Sequence, residues 1–209
     1  MIRVGVLFVV MSFAAFCSAQ EARWIVVPKI RSGTDTTIVA EITNRCPSTS
    51  LMRGEDRVGQ GHYGSHQINA YIRNKYGRGT GRDNAAYVPG GYAFIAPEPS
   101  QFTLHDVIRG TSTPLPGGNI PVADWNRQPL YIFDELSAYT CGTVSGIRFG
   151  QSHSLRTRTS FKFAKVLLAH ARIVVQLARE RKYQHSGQLD GFVSHIEKIH
   201  ESIEMSFHK

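Results

Sequence analysis

Apolar and polar positions along the first half of the chain predict short strands around one helix. Two β-branched runs, 24–27 and 37–42, flank a turn-forming cluster and predict a hairpin. Residues 44–64 are rich in Gly, Ser, Arg and Pro and show little periodicity, so they predict a long loop. Ser65 then precedes a segment, 66–76, in which apolar residues recur at helical spacing. That segment is predicted as a helix of about three turns.

The middle of the chain predicts further strands. Short apolar runs at 92–96 and 102–108 are separated by prolines and a Gly-rich segment, a pattern typical of strands interrupted by turns. Two more runs, 130–133 and 141–147, enclose the polar sequence DELSAY. They predict a second hairpin.

After Gly150 the pattern becomes helical. Apolar residues recur every three or four positions over 161–183 and again over 189–203, with Ser186-Gly187 between the two segments. The pattern predicts a helical hairpin within a basic extension, 151–209, that holds ten Lys and Arg against five Asp and Glu. We therefore expect an α+β domain over 20–150 followed by this extension.

Composition excludes a disordered chain. The 209 residues are 42% hydrophobic and carry a net charge of +8, which supports a folded, basic protein.

The first 19 residues have the layout of a cleaved secretory signal, with Arg3, an apolar stretch and a small-residue exit at Ala19. No later run is long and apolar enough to predict a membrane span. Secretion to the extracellular side is the expectation.

The cysteines and the histidines of the tail are candidate structural and metal-binding groups. Removal of the signal would leave Cys46 and Cys141, which predict one long-range disulfide in a secreted protein, with two buried free thiols as the alternative. The tail residues His195 and His200 do not have the spacing of a zinc motif. The sequence thus predicts neither a metal site nor a cofactor.

A basic and aromatic stretch, 71–92, is the first candidate binding surface. Lys and Arg neutralise phosphates and tyrosine rings stack on bases, so the stretch predicts contacts with single-stranded RNA. A solvated basic helix face is the alternative. The predicted contact residues are Arg73, Arg78, Arg82, Tyr87 and Tyr92.

Four segments resemble the small secreted guanyl-specific ribonucleases of fungi. They are GHYGSHQINAYI, AAYVPGGYAF, FTLHDVIRGTSTPLPGG and LYIFDELSAYTCGTVSG, and together they span 61–147. The resemblance implies a microbial ribonuclease-like fold, with one helix packed on an antiparallel sheet. It also implies that Tyr87, His105, Asp106 and Arg127 are the positions nearest to that family's catalytic set.

Both histidines of the family's catalytic set are missing at the matching positions. The resemblance is therefore closest to the RNase-like secreted effectors of plant-pathogenic fungi, and it implies binding rather than turnover. The expected partner is RNA or a host protein, and the protein is expected to be a monomer. The resemblance further implies that the protein can enter host cells.

Three alternatives stay open. Four segments, LMRG, GRGTGRDNAAYVPGGY, FIAPEPSQFTLHDVIRG and GGNIP, resemble parts of heat-labile-enterotoxin-like ADP-ribosyltransferase A chains, although that family's Ser-Thr-Ser and Glu-x-Glu motifs are absent. A basic surface that binds polyanions without specificity is the second. An active ribonuclease with a rearranged site is the third, because two of His62, His66 and His105 could meet beside Asp106.

Overall fold

The computed structural model describes residues 24–26, 56–77, 83–88, 92–115 and 125–208, and all structural statements concern these residues. They form three strands and five helices, which agrees with the predicted α+β class. Within 20–150, however, three helices stand where the sequence predicts one. The elements are β1 (Trp24–Val26), α1 (Arg57–Tyr76), β2 (Asp83–Val88), β3 (Tyr92–Pro97), α2 (Leu104–Arg109), α3 (Tyr131–Arg148), α4 (Leu155–Glu180) and α5 (Ser186–Phe207).

The sheet is antiparallel, with β3 in the centre and the strand order β1-β3-β2. Alternate residues of β3 point to opposite faces, and both faces are apolar. Phe94 and Ala96 enter the main core, whereas Ala93 and Ile95 pack with Ile72 of α1 in a smaller core. The sheet is therefore covered on both sides by helices. The predicted strand at 92–96 is confirmed.

Helix α1 begins earlier than the sequence predicts. Asp56 caps it by accepting a hydrogen bond from the backbone N–H of Gly59 at 2.9 Å, so 57–64 is helix rather than loop. Ser65, predicted as the N-cap, lies buried inside the helix and hydrogen-bonds to Ser137 of α3 at 2.7 Å. The glycines that obscure the pattern allow α1 to approach α3 closely: a Cβ at Gly61 would lie 2.6 Å from the carbonyl oxygen of Cys141.

Two predicted β segments are helices. Over 102–108 the strand prediction is wrong because Thr103 and Asp106 form a reciprocal capping box that starts α2. Over 130–147 the hairpin prediction is wrong because α3 runs through the whole segment. Its buried side chains recur at helical spacing, but several are small and polar, so their periodicity is not apolar: Ile132, Phe133, Leu136, Ser137, Thr140 and Thr143.

The predicted helical hairpin is confirmed as α4 and α5. Its residues share the main core with the sheet and α3, since the ring centroids of Phe94, Phe133 and Phe192 lie 5.1–5.6 Å apart. Edge-to-face ring packing of this kind stabilises the junction of the three elements. None of the helices described is long and apolar enough to cross a bilayer.

Candidate metal centre

The tight packing of α1 on α3 brings two histidines against a carboxylate. His62 and His66 are four residues apart, so they lie on one face of α1, and their ring centroids are 4.9 Å apart. Glu135 of α3 faces them, with its Oε1 3.8 Å from Nε2 of His66. One potential ligand atom from each of the three residues lies within 4.8 Å of the other two. We call these three residues the histidine cluster.

Asp134 fixes the orientation of His66. Nδ1 of His66 lies 3.1 Å from Oδ1 of Asp134 and donates its hydrogen to that oxygen, which leaves Nε2 directed at Glu135. Burial opposes protonation of His66, but the hydrogen bond to Asp134 and the charges of Asp134 and Glu135 outweigh it and raise the pKa of His66. A carboxylate behind the far nitrogen is the usual support of a metal-ligating histidine.

Asn69 holds Asp134 in place. Its Nδ2 donates to Oδ1 of Asp134, and its own Oδ1 accepts the backbone N–H of Tyr87 in β2 at 2.6 Å. Asn69 is buried at 2% exposure, so both hydrogen bonds are shielded from water. The sheet thus positions His66 through Asn69 and Asp134.

The surroundings of His62 favour its neutral form. Burial, and the neighbouring His66, lower its pKa to about 4, and one ring N–H donates to the carbonyl of Ala138. The ring also packs edge-on against Tyr139, with centroids 4.5 Å apart. A neutral imidazole with one nitrogen already hydrogen-bonded presents the other nitrogen as a lone-pair donor.

Glu135 is supported from its own helix. Burial raises the pKa of Glu135, whereas the nearby His66 and a hydrogen bond from the Tyr131 hydroxyl act in the opposite direction. Burial and the charge of Glu135 in turn raise the pKa of Tyr131, which keeps its hydroxyl protonated and able to donate. All three members of the histidine cluster therefore have a hydrogen-bonding partner, and two of these partners, Ala138 and Asp134, are buried.

The cluster fits a transition-metal ion of the zinc type. Zinc takes nitrogen and oxygen ligands at about 2.0–2.2 Å in a tetrahedral arrangement, which places the ligand atoms about 3.4 Å from one another. The ligand atoms of the cluster lie within 4.8 Å of one another and would reach that spacing through side-chain movements that bring them about 1.4 Å closer. Two histidines and one carboxylate form the three-ligand set of catalytic zinc sites, in which a fourth position stays open to water.

The spacing of the two histidines matches the zinc motif His-Glu-x-x-His, but its second residue differs. Tyr63 occupies the position of the glutamate that serves as general base in that motif. Its side chain is 50% exposed and its ring lies edge-on to His62, with centroids 5.7 Å apart. The ligands of the motif are therefore present without its base.

The residues predicted as catalytic do not form this site. Asp106 caps α2 and lies 3.4 Å from Arg181, so it is occupied structurally. His105 is exposed on α2, and its backbone N–H donates to Asn126. Tyr87 is buried in the smaller core, and Arg127 is exposed before α3. Two of the three histidines considered do meet, but beside Asp134 rather than Asp106.

The predicted RNA contacts are only partly described. Arg73 is exposed near the end of α1, where Lys75 packs over the rings of Tyr71 and Tyr76 at 5.3 Å from each centroid. Tyr87 is only 9% exposed, so its ring cannot stack on a base without unfolding β2. Arg78, Arg82 and the side chain of Tyr92 lie outside the described residues.

Cys141 is a free thiol, so the predicted disulfide to Cys46 is not formed in this structure, and Cys46 itself lies outside the described residues. Burial raises the pKa of Cys141 to about 11, against hydrogen bonds with Ser65 and Ser137 that act to lower it. The thiol contributes to the contact between α1 and α3, and its raised pKa reduces the fraction of reactive thiolate at neutral pH.

One signal in the sequence could have located the histidine cluster: His62-x-x-x-His66, the spacing that places two ligands on one helix face. The Gly-rich composition around His62 masks this signal, because it predicts a loop where four-residue spacing has no fixed geometry. Among known proteins, no family model, curated protein or solved structure matches this chain.

Proposed function

We propose that this protein binds one divalent transition-metal ion, with zinc the preferred ion, through His62, His66 and Glu135. The observation that carries the proposal is the support behind each ligand. Ala138 accepts from His62, Asp134 accepts from His66, and a tyrosine hydroxyl donates to Glu135. Histidines that merely fill a core need no such convergence on a common point.

The ligand types favour zinc over the hard cations. Calcium and magnesium prefer six or more oxygen ligands, and this cluster offers two imidazoles and one carboxylate. Both imidazoles can be neutral on the nitrogen that faces Glu135, which is the form that coordinates a metal. The fourth position would be left to water or to a ligand that brings its own oxygen.

The absence of a glutamate at position 63 limits the chemistry of the site. A zinc ion would polarise a water or carbonyl oxygen in the fourth position. General-base assistance contributes roughly 10²–10⁴-fold to such reactions, and position 63 carries no carboxylate to supply it. We therefore infer a metal-binding role with weak hydrolytic capacity, in line with the expectation of binding rather than turnover.

A zinc titration tests the proposal. Protein dialysed against chelator is titrated with ZnCl2 by calorimetry, and the wild type is expected to bind one ion per chain. His62→Ala, His66→Ala and Glu135→Gln should each weaken binding by about 10²-fold or more, since each removes one of three ligands. His105→Ala removes an exposed histidine of α2 and is the matched control. Circular dichroism verifies that every metal-free variant is folded.

Two results would overturn the proposal. One is a wild-type protein that takes up no zinc under these conditions. The other is a loss of affinity in His105→Ala as large as in His62→Ala, because that would indicate unspecific binding by surface histidines.

A second candidate, RNA as the ligand of a metal-free site, has one observation in its favour. The surroundings drive the pKa values of the two histidines apart: burial and the nearby His66 lower that of His62, whereas Asp134 and Glu135 raise that of His66. Such a split suits a base and an acid that work as a pair. The arrangement supports the alternative of a ribonuclease with a rearranged site, served by the exposed Arg73 and Lys75.

Chelator separates the two candidates. RNA cleavage that persists in EDTA and is lost in both His62→Ala and His66→Ala would favour the acid–base pair. If the protein binds zinc but cleaves no RNA in EDTA, the metal centre stands and the ribonuclease is rejected.

A further inference from the structure

Four helix termini meet at one end of the molecule. At the start of α1, the guanidinium carbon of Arg57 lies 4.3 Å from the ring centroid of Phe149, which follows α3. Arg156 in the first turn of α4 forms an ion pair with Asp56. Arg158, also in α4, lies 5.8 Å from the ring centroid of Phe207 at the end of α5. We call this region, formed by 56–58, 148–158 and 205–208, the basic end.

The basic end carries the most exposed apolar side chains. Leu155 is 82% exposed, Met205 62% and Phe149 58%. In the part of the chain that the structure describes, these three are the exposed large apolar residues that lack a hydroxyl group. Apolar side chains this exposed, gathered at one end, are typical of a contact surface.

The charge of the same region is positive. Its ionised residues are four arginines and a single acid, Asp56, which gives a net charge of +3. Asp56 is occupied by the cap of α1 and by Arg156. The other three arginines, Arg57, Arg148 and Arg158, surround the apolar side chains with positive charge that no carboxylate of this region neutralises.

We propose that the basic end docks on the surface of an anionic lipid bilayer. Phe149, Leu155 and Met205 would enter the interface between headgroups and acyl chains, and the arginines would contact lipid phosphates. The docking leaves the bilayer unspanned and is independent of the histidine cluster. Each basic residue near an anionic membrane strengthens binding by roughly fivefold, so the three arginines without an acidic partner would together strengthen it roughly 100-fold.

The side-chain types favour lipid over the other polyanions and over a second copy of the chain. Leu155 and Met205 have no π face on which a nucleic-acid base could stack, whereas both partition well into an acyl interface. A symmetric pairing of two basic ends would bring six unneutralised arginines together, and like charges oppose such contacts.

Vesicle flotation tests the proposal with the full chain. Vesicles of phosphatidylcholine alone are compared with vesicles that contain 30% phosphatidylserine (about one lipid in three, a typical anionic fraction). The wild type is expected to float with the anionic vesicles only, and less so at high salt. Phe149→Ser with Leu155→Ser should reduce the bound fraction at least about tenfold, because apolar insertion is lost. Arg148→Gln with Arg158→Gln should reduce it similarly, by about 25-fold.

Arg109→Gln with Lys198→Gln is the matched control, because it removes the same charge from exposed positions in α2 and α5 outside the basic end. It should keep binding within about twofold. Equal loss in control and test pairs would overturn the proposal, since net charge alone would then explain it. Equal binding to both vesicle types would also overturn it, as would a dimer that Leu155→Ser dissociates in the absence of lipid.

Discussion

The close approach of α1 to α3 makes Gly61 a sensitive position for both stability and metal binding. A Cβ added there would lie 2.6 Å from the carbonyl oxygen of Cys141 and 2.7 Å from Cβ of Ser145. Ordinary contacts begin at 3.4 Å, so Gly61→Ala requires the two helices to separate by about 0.8 Å. The nearer atom belongs to the backbone of a helix and cannot rotate away.

Gly64 provides the control for the same substitution. It lies one turn further along α1, and an added Cβ would meet nothing within 4 Å. Gly64→Ala should therefore stabilise the protein by about 1 kcal/mol through helix propensity. Gly61→Ala receives the same gain, but overpacking costs about 1–3 kcal/mol. The gain from helix propensity cancels between the two variants, so their difference in unfolding free energy measures the cost of overpacking at Gly61.

The separation also disturbs the histidine cluster. Metal–ligand distances tolerate deviations of about 0.2 Å, and the helices that carry His62 and Glu135 would move apart by several times that amount. Urea unfolding should place Gly61→Ala below Gly64→Ala in stability by about 1–3 kcal/mol. Zinc affinity should fall at least about tenfold in the first variant and stay unchanged in the second. Equal stability and equal affinity in both variants would refute the reasoning.

Other variants test the remaining parts of the account. Asp134→Asn should weaken zinc binding about 10–100-fold in a chelator competition, because His66 loses its charged partner, and an unchanged affinity would argue against that support. Burial raises the pKa of Glu98 to about 7, so the wild type should lose up to about 3 kcal/mol of stability as pH rises from 4.5 to 7. Urea unfolding of Glu98→Gln should show no such loss of stability. A pH profile of stability parallel to that of the wild type would contradict this prediction. Burial lowers the pKa of His200 to about 4, so stability should rise from pH 4 to 6.5 in the wild type but not in His200→Gln. Cys141 should alkylate at pH 8 about 100-fold more slowly than an ordinary thiol, because its pKa is about 11, and a rate typical of free cysteine would show that the sulfur is accessible.

The helical hairpin of α4 and α5 was predictable because its buried positions are apolar. Leu167, Val174 and Ala178 follow one another at helical spacing, and burial of that stripe needs no knowledge of the partner elements. Helix α3 could not be identified in the same way. Ser137 and Thr140 lie on its buried face and hydrogen-bond to α1 and α5, while Thr143 donates to the carbonyl of Tyr139 in the same helix. These polar positions interrupt the apolar stripe.

The histidine cluster could not be predicted because the loop prediction over 57–64 and the hairpin prediction over 130–147 are both wrong. His62 lay in a predicted loop, where the four-residue spacing to His66 has no geometric meaning. Glu135 lay in the predicted turn of a hairpin, and nothing local indicates which helix it faces. Glycines caused the first error, since they depress helix propensity while allowing α1 and α3 to meet. Only the packing of distant segments reveals such a site.

A crystal structure of the zinc-soaked protein, with anomalous scattering measured at the zinc edge, tests the central claim most directly. We expect one anomalous peak per chain between α1 and α3, at about 2.0–2.2 Å from a ring nitrogen of His62, Nε2 of His66 and a carboxylate oxygen of Glu135. The hydrogen bond between Nδ1 of His66 and Asp134 should persist. A peak bound only by exposed histidines such as His105 or His153, or no peak between α1 and α3, would contradict the account.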